Sequence, residues 1–397
     1  MSLYVLRYHE IALKGANRDW FEKRLATNVK AQLKPLGPVE TKRVRGRILV
    51  QSDGPSAQVE QILSWIPGLA NFSLVLETDH QMASLAELAT KLVNQSLAKN
   101  PNAQTFRVCA SRADKRFPLS SQQLGAELGG VVLEGQPQLK VKMKGADLEL
   151  GVEIWAGEKA ILYLEKLPGQ GGLPVGVSGR FISFLSGGID SPVASQMMMR
   201  RGAELVYLNF HAYPYIGQES KEKVLALVKH LSRYQPKSVL LVAPFAEIQK
   251  AIKANCRERL RTILYRRLMF QVANHIAPQY SVKGFITGEA LGQVASQTIE
   301  NLRCTEDAAT LPVLRPLIGL EKDQIIERAQ AIGSFEISIQ PFPDCCTLFQ
   351  PRRPETKGRI EELREEESRL DLPALLEECL AGLEKHQFYS PGADTFF

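Results

Sequence analysis

An α/β chain of several domains, the last of them a doubly wound parallel sheet, is the fold class this sequence predicts. Three observations predict it. The 397 residues suffice for two or three domains at roughly 150 residues each. Helices and strands intermix up to about residue 166, whereas beyond 176 strand, loop and helix alternate. Between them, Leu167 to Gly176 holds four Gly and two Pro, the composition of a linker or an ordered loop. Overall, 44% hydrophobic and 23% charged residues exclude a disordered or fibrous protein. No apolar run nears the roughly 18 residues of a membrane span, and MSLYVLRYHEIALKG turns polar too early for a signal peptide. A cytoplasmic protein is expected. Six cysteines without a C-x-x-C pair argue against a disulfide scaffold and a common zinc site.

The elements follow in order. Leu3 to Arg7 alternates as a strand, Arg18 to Leu33 has helical spacing, and Arg47 to Val50 is β-rich. A second unit from about 61 reads as a strand near 71–77, a helix over 84–98 and a strand over 105–110. A helix over 120–134 follows, then strands near 139–144, 147–155 and 159–166. After the Gly-rich stretch, Phe181 to Leu185 is a short apolar strand and Val193 to Arg201 a helix opened by Pro192. Then come strand 204–210, helix 220–234, strand 238–245, one long helical stretch 246–277, strand 284–288, strand 313–317 and helix 321–331. The tail, 359–386, reads as an acidic helical segment with a solvated face.

Charge is uneven. Residues 1–60 hold 11 Lys and Arg against 6 Asp and Glu, residues 61–175 hold 11 against 11, and the remainder 27 against 26. A cationic amino end suits a polyanion such as nucleic acid, and equally a solvated basic face. The same two readings apply to Lys42 to Arg47, four cations in six residues around an expected turn.

Ser186-Gly187-Gly188-Ile189-Asp190-Ser191 lies between a strand and a helix. Two glycines let backbone approach an anion, and amides at a helix start favour negative charge. Ser186 and Ser191 offer hydroxyl donors, and Asp190 offers a carboxylate for magnesium bound to the same phosphates. No Walker loop exists in the chain. Cys345 and Cys346 are adjacent, poor joint metal ligands and strained as a disulfide; they are buried thiols or the reactive thiols of a sulfur transfer. Cys109, Cys256, Cys304 and Cys379 are read as structural.

SGGIDS in this setting resembles the pyrophosphate loop of the N-type ATP pyrophosphatases. With GGLPVG at 171–176, TGEALGQVASQT at 287–298, RPL at 315–317, DCCT at 344–347 and LRYHEIALKGANR at 6–18, the chain resembles the bacterial tRNA 4-thiouridine synthetases, or tRNA sulfurtransferases, from about residue 3 to beyond 350. The resemblance implies an N-terminal ferredoxin-like domain (1–60), an α+β THUMP RNA-binding domain (61–166), a linker (167–176) and a Rossmann-like PP-loop ATP pyrophosphatase domain (177–397). It implies ATP contacts at Phe184, Leu185, Ser186, Gly187, Gly188, Asp190, Ser191, Asn209, Phe210, Arg266, Gly288 and Gln297, with Mg2+ at Asp190. Relatives often carry His-Phe where this chain has Asn209-Phe210. Cys346 becomes the persulfide-bearing catalytic cysteine, with Cys345 beside it. The implied reaction adenylates O4 of uridine 8 in tRNA and replaces that oxygen by sulfur, giving 4-thiouridine. Some members carry a C-terminal rhodanese domain; with the sequence read to Phe397, sulfur is expected from a cysteine desulfurase partner. A sulfur-carrier protein of thiamine biosynthesis is a second acceptor, and a homodimer is left open. The rival readings are another PP-loop adenylating synthetase and a non-catalytic tRNA-binding protein.

Overall fold

A computed structural model describes residues 1–44, 46–342, 345 and 348–390, in two compact units. The first comprises Met1–Ser64 and Leu69–Gly171, the second Trp65–Gly68 and Gly172–Phe397.

The first unit is one continuous sheet. Its elements are β1 (Ser2–Arg7), α1 (Arg18–Leu33), β2 (Val39–Val44), β3 (Arg47–Ser52), α2 (Ser56–Trp65), β4 (Asn71–Asp79), α3 (Met82–Lys99), β5 (Thr105–Arg112), α4 (Ser121–Gly135), β6 (Lys140–Val141), β7 (Leu148–Trp155), β8 (Lys159–Tyr163) and β9 (Leu167–Pro168). The strand order is β2-β3-β1-β4-β8-β7-β5-β6, with β9 on β4. Strand β4 is long enough to pair β1 with one half and β8 with the other, so it carries the sheet from one domain into the next. Buried Glu153 of β7 reinforces that join. It accepts from Arg7 of β1 (3.0 Å), pairs with Arg47 of β3 (2.8 Å) and accepts from Tyr163 of β8 (3.2 Å). Helices α3 and α4 cover β5, β7 and β8 through Leu85, Val93, Leu124 and Leu128. The capping box of Ser120 and Gln123 starts α4.

The second unit contains β10 (Arg180–Phe184), α5 (Asp190–Arg200), β11 (Glu204–His211), α6 (Gln218–Leu231), β12 (Lys237–Pro244), α7 (Ala246–Asn255), α8 (Arg261–Ile276), β13 (Val282–Ile286), α9 (Ile299–Glu306), β14 (Val313–Leu314), α10 (Lys322–Ala331), α11 (Phe335–Ser338), α12 (Ile360–Glu367), α13 (Leu372–Ala381) and β15 (Glu384–Tyr389). The order is β14-β13-β10-β11-β12-β15, parallel throughout except for the antiparallel edge strand β15. Alternate residues serve opposite faces. Ile182, Val206, Leu208 and Leu241 pack with α7, α8 and α13, and Phe181, Leu205, Tyr207 and Leu240 with α5, α6 and α10. The chain runs from β10 outward to β12 and then returns to the other side of β10 with β13. That reversal opens a crevice at the carboxyl ends of β10 and β13, where doubly wound sheets bind ligands.

The structure corrects several expected elements. Strand β2 lies where only a basic loop was expected, because an edge strand full of charges carries no hydropathy signal. The stretches 139–144 and 313–317 each shrink to two paired residues. Helix α5 begins at Asp190, so Pro192 is its third residue and not its first. The long helix 246–277 is broken at Cys256-Arg257, where the Arg257 amide donates to the Glu366 carboxylate (2.8 Å). The acidic tail is helical over α12 and α13 with Glu361 and Glu365 exposed, but it is neither solvated throughout nor helical to its end. Glu366 and Glu367 are buried, and 384–389 is a strand paired along β12.

Candidate nucleotide and sulfur-transfer site

The loop after β10 closes on itself. Ser191 Oγ accepts from the Ser186 amide (3.1 Å) and donates to the Ser186 carbonyl (3.2 Å), and Ser186 Oγ accepts from the Gly188 amide (3.3 Å). Both hydroxyls therefore brace the loop, while Ser186 and Ser191 also line the cavity beside it. Helix α5 starts with no side-chain cap, the arrangement that serves an anion at a helix N-terminus. Gly288, two residues beyond β13, lies against this junction. A Cβ there would come within 2.8 Å of the Ser191 amide, so the close approach requires glycine.

Around this loop is a cavity of about 180 Å³. One wall is apolar, made by Phe184, Leu208, Phe210, Met269 and Phe270, with the Phe184 ring edge-on to Phe270 at 4.9 Å. The other wall is polar, with Ser186, Asp190, Ser191, Arg266, Glu289 and Gln297. Apolar rings on one side, with a Gly-rich loop and an arginine around the same cavity, suit the two halves of a nucleotide. Asn209 Nδ2 donates to the Leu185 carbonyl (2.9 Å), which ties the end of β11 to the loop, and Gln297 Oε1 accepts from the Ala290 amide (3.2 Å). Leu185 and Gly288 line the same cavity. Gly187 and Gly188 are in the loop without lining it.

The charged groups are paired. Asp190 accepts from Lys322 (2.5 Å) and from Gln293 (3.0 Å). Arg266 donates to buried Glu289 (2.5 Å), which also accepts from Arg315 (2.8 Å) and Thr287 (2.8 Å). Burial works to raise the Glu289 carboxyl, but the charges of Arg266 and Arg315 and the two hydrogen bonds outweigh it and hold it below the usual carboxylate range. Arg267 points the other way, to Glu367 (2.6 Å) and Asp307 (3.0 Å).

Cys345 is buried and lines the cavity. Gln249 of α7 donates to its carbonyl (2.8 Å), and Lys223 of α6 donates to the carbonyls of Gln340 (3.2 Å) and Phe342 (2.8 Å). Two helices thus pin the backbone within the DCCT motif and just before it. Cys346 lies outside the described residues. Of the other cysteines, burial pushes the Cys256 thiol up to about 11 and the Cys379 thiol to about 12, and raises that of Cys304, which suits inert core thiols. Cys109 is only half-buried on β5.

Sequence reasoning missed roles for Glu289, Arg315, Lys322, Gln293, Lys223 and Gln249. Glu289 and Arg315 sit inside the TGEALG and RPL strings, so a signal existed there. Lys322 meets Asp190 across 132 positions, and nothing local announces it.

Comparison with known proteins agrees with this geometry. The family described as Thiamine biosynthesis protein (ThiI) matches residues 176–372, the ThiI ferredoxin-like domain residues 3–73 and the THUMP domain residues 80–165. A protein named "Probable tRNA sulfurtransferase" from Moorella thermoacetica is 40% identical over 380 residues, 96% of both chains. Its namesake from Thermus thermophilus is 41% identical over 392 residues, 98% of this chain and 95% of that one. The crystal structure of a 4-thiouridine synthetase in complex with RNA and ATP superposes with a TM-score of 0.89 at 34% identity, covering 98% of this chain and 99% of that one. A Pyrococcus horikoshii structure superposes at 0.67 and 28% identity, covering 84% of this chain and 100% of that one. With a ferredoxin-like, a THUMP and a PP-loop domain in this order and relatives alike over nearly their whole length, the chain belongs to the tRNA sulfurtransferase (ThiI) family.

Proposed function

We propose that this chain is an ATP-dependent tRNA uracil 4-sulfurtransferase, acting on uridine 8. One observation carries the reading: the anion loop after β10 and the cysteine-bearing segment at Cys345 line the same cavity. The slot walled by Phe184 and Phe210 takes the adenine, and the Ser186–Ser191 loop, Arg266, Gly288 and Gln297 take the phosphates. O4 of the uridine attacks the α-phosphorus, pyrophosphate leaves, and Arg266 stabilises the charge that develops on it. The outer sulfur of a persulfide on Cys346 then attacks C4 and AMP departs. Releasing that sulfur from its disulfide takes two electrons, supplied by a thiol such as Cys345 or by an external reductant.

Magnesium fits this site in one way only. Among the described residues no three carboxylate, histidine or cysteine side chains form a metal cluster. Asp190 is a single carboxylate next to the phosphate loop, and magnesium is commonly held by one or two carboxylates, phosphates and water. When bound, it would neutralise phosphate charge, with Asp190 leaving Lys322 and Gln293 to hold it.

The RNA substrate falls to the first unit, where Lys23, Lys30, Lys34 and Arg43 line a groove between α1 and β2. A cysteine desulfurase as sulfur donor, a thiamine-pathway carrier protein as second acceptor and a homodimeric assembly complete the proposal. A cytoplasmic location is part of the same proposal; no helix of the described residues is long and apolar enough to cross a membrane. Mass spectrometry of tRNA nucleosides from a strain lacking the protein tests the whole reading. Loss of 4-thiouridine is expected, and its persistence at the normal level rejects it.

A further inference from the structure

We propose that Glu289 is a positioning residue that aims the Arg266 guanidinium at the departing pyrophosphate. The proposal rests on the nucleotide reading of the cavity.

A carboxylate beside a triphosphate site needs a reason, because it repels the ligand and is costly to bury. Glu289 is 2% exposed and lines the cavity together with Arg266. Its two oxygens are divided between the two sides. Oε1 accepts from Arg266 Nη1 (2.5 Å), and Oε2 accepts from Arg315 Nε (2.8 Å) and Thr287 Oγ1 (2.8 Å). Arg315 is itself held by Glu306 (2.7 Å), so the carboxylate is braced from behind and cannot follow the ligand.

Only one nitrogen of Arg266 is used in this way. Among the described residues its Nε and Nη2 have no hydrogen-bond partner, and its side chain is a quarter exposed. An arginine carries large rotamer freedom, and without Glu289 this one would divide its time between solvent and phosphate. With Glu289 in place, the guanidinium is held at the cavity with two donors uncommitted before ATP arrives, and a preorganised donor acts without reorganisation when charge develops. Braced by two guanidiniums, Glu289 presents a neutralised carboxylate to the phosphates.

The test is steady-state release of AMP and pyrophosphate from ATP with tRNA, for the wild type, Glu289→Gln, Arg266→Gln and the double variant. Glutamine keeps the shape and an acceptor but loses the charge that holds the guanidinium. Glu289→Gln should lower kcat about 100-fold, the size of one lost transition-state donor. The KM for ATP should change little, because the arginine acts mainly on charge that appears in the transition state. The double variant should be no slower than Arg266→Gln alone, since Glu289 acts through that residue. Losses that multiply, or an unchanged kcat in Glu289→Gln, overturn the proposal. If Glu289→Gln fails to fold, Glu289→Gln/Arg315→Met removes the surplus buried cation, and the same comparison is made in that background. A wild type that releases no AMP and pyrophosphate overturns the nucleotide reading instead, so the two failures are distinct.

Discussion

At the scale of single residues, the charged groups of the site are already paired with protein groups. Asp190 shows this most clearly, with one carboxylate oxygen on Lys322 and the other near Gln293. Asp190→Ala should abolish adenylation, with at least about a 100-fold fall in AMP and pyrophosphate release. Because Asp190 is partly exposed and ends a loop, the unfolding free energy should move by no more than about 0.5 kcal/mol. Release of ADP and phosphate by the wild type would show that the pyrophosphatase reading is wrong. The cysteines give a second residue-scale prediction. Cys346→Ser should stop 4-thiouridine formation with a desulfurase as donor yet spare adenylation, because a hydroxyl holds no transferable sulfur. Cys345→Ser should matter less where an external reductant can act, and free sulfide should bypass both losses. If only Cys345→Ser fails with the desulfurase, the two roles are exchanged.

At the scale of elements, helix α8, which lines the cavity with Arg266, is held from behind by α12. Arg267 donates to both oxygens of buried Glu367, at 2.6 and 3.0 Å, and to Asp307 at 3.0 Å. Removing one partner of such a buried pair costs about 3–5 kcal/mol because the other charge is stranded. Glu367→Ala should therefore lower the urea midpoint strongly, whereas Glu361→Ala on the exposed face of the same helix should hardly move it. Helix α6 supplies a pH-dependent counterpart. In His230, Nε2 donates to the Ile332 carbonyl (2.6 Å) and Nδ1 accepts from Arg233 (2.9 Å), an assignment that makes the ring neutral. Burial first, and then the Arg233 charge, depress its pKa, against the opposing carbonyl bond. A histidine with a depressed folded pKa contributes stability above its unfolded pKa of about 6.5 and loses it as pH falls toward the folded value. Urea unfolding between pH 7 and 5 should show that loss in the wild type and a flatter profile in His230→Gln.

At the scale of the whole molecule, the proposed function assigns the RNA to the first compact unit and the nucleotide to the second. The excess of 11 cations over 6 anions in residues 1–60 is concentrated along α1 and β2, where Lys23, Lys30, Lys34 and Arg43 line one groove. Lys30→Gln/Lys34→Gln should weaken tRNA binding across sequences without affecting stability, since both lysines are exposed. The slope of log affinity against log salt should fall by roughly 0.7–0.9 for each phosphate no longer neutralised, measured by filter binding at several ionic strengths. Unchanged affinity and slope would remove that groove from the RNA interface.

The division between what was legible and what was not follows physical range. The alternation of strand and helix after residue 176, the Gly-Gly loop before α5 and the strands β10 to β12 depend on neighbours within a few positions, so sequence alone determined them. Helix α1 over Arg18–Leu33 is the clearest case. The family resemblance likewise marked most of the cavity lining, from Phe184 and Leu185 through Asn209 and Arg266 to Gly288, Gln297 and Cys345. Tertiary structure alone decided the rest. Polar edge strands such as β2 and β15 form because a neighbouring strand offers backbone partners, and their side chains carry little record of it. The break between α7 and α8 exists because Glu366, 109 positions away, captures the Arg257 amide. Glu366 and Glu367 are buried because Arg267 of α8 and Arg257 in the turn before it pair with them. Glu289, Arg315 and Lys322 acquire their partners only when β13, β14, α5 and α8 converge on the switch point of the sheet, since hydrogen bonds act over a few ångströms and carry no mark in chain order.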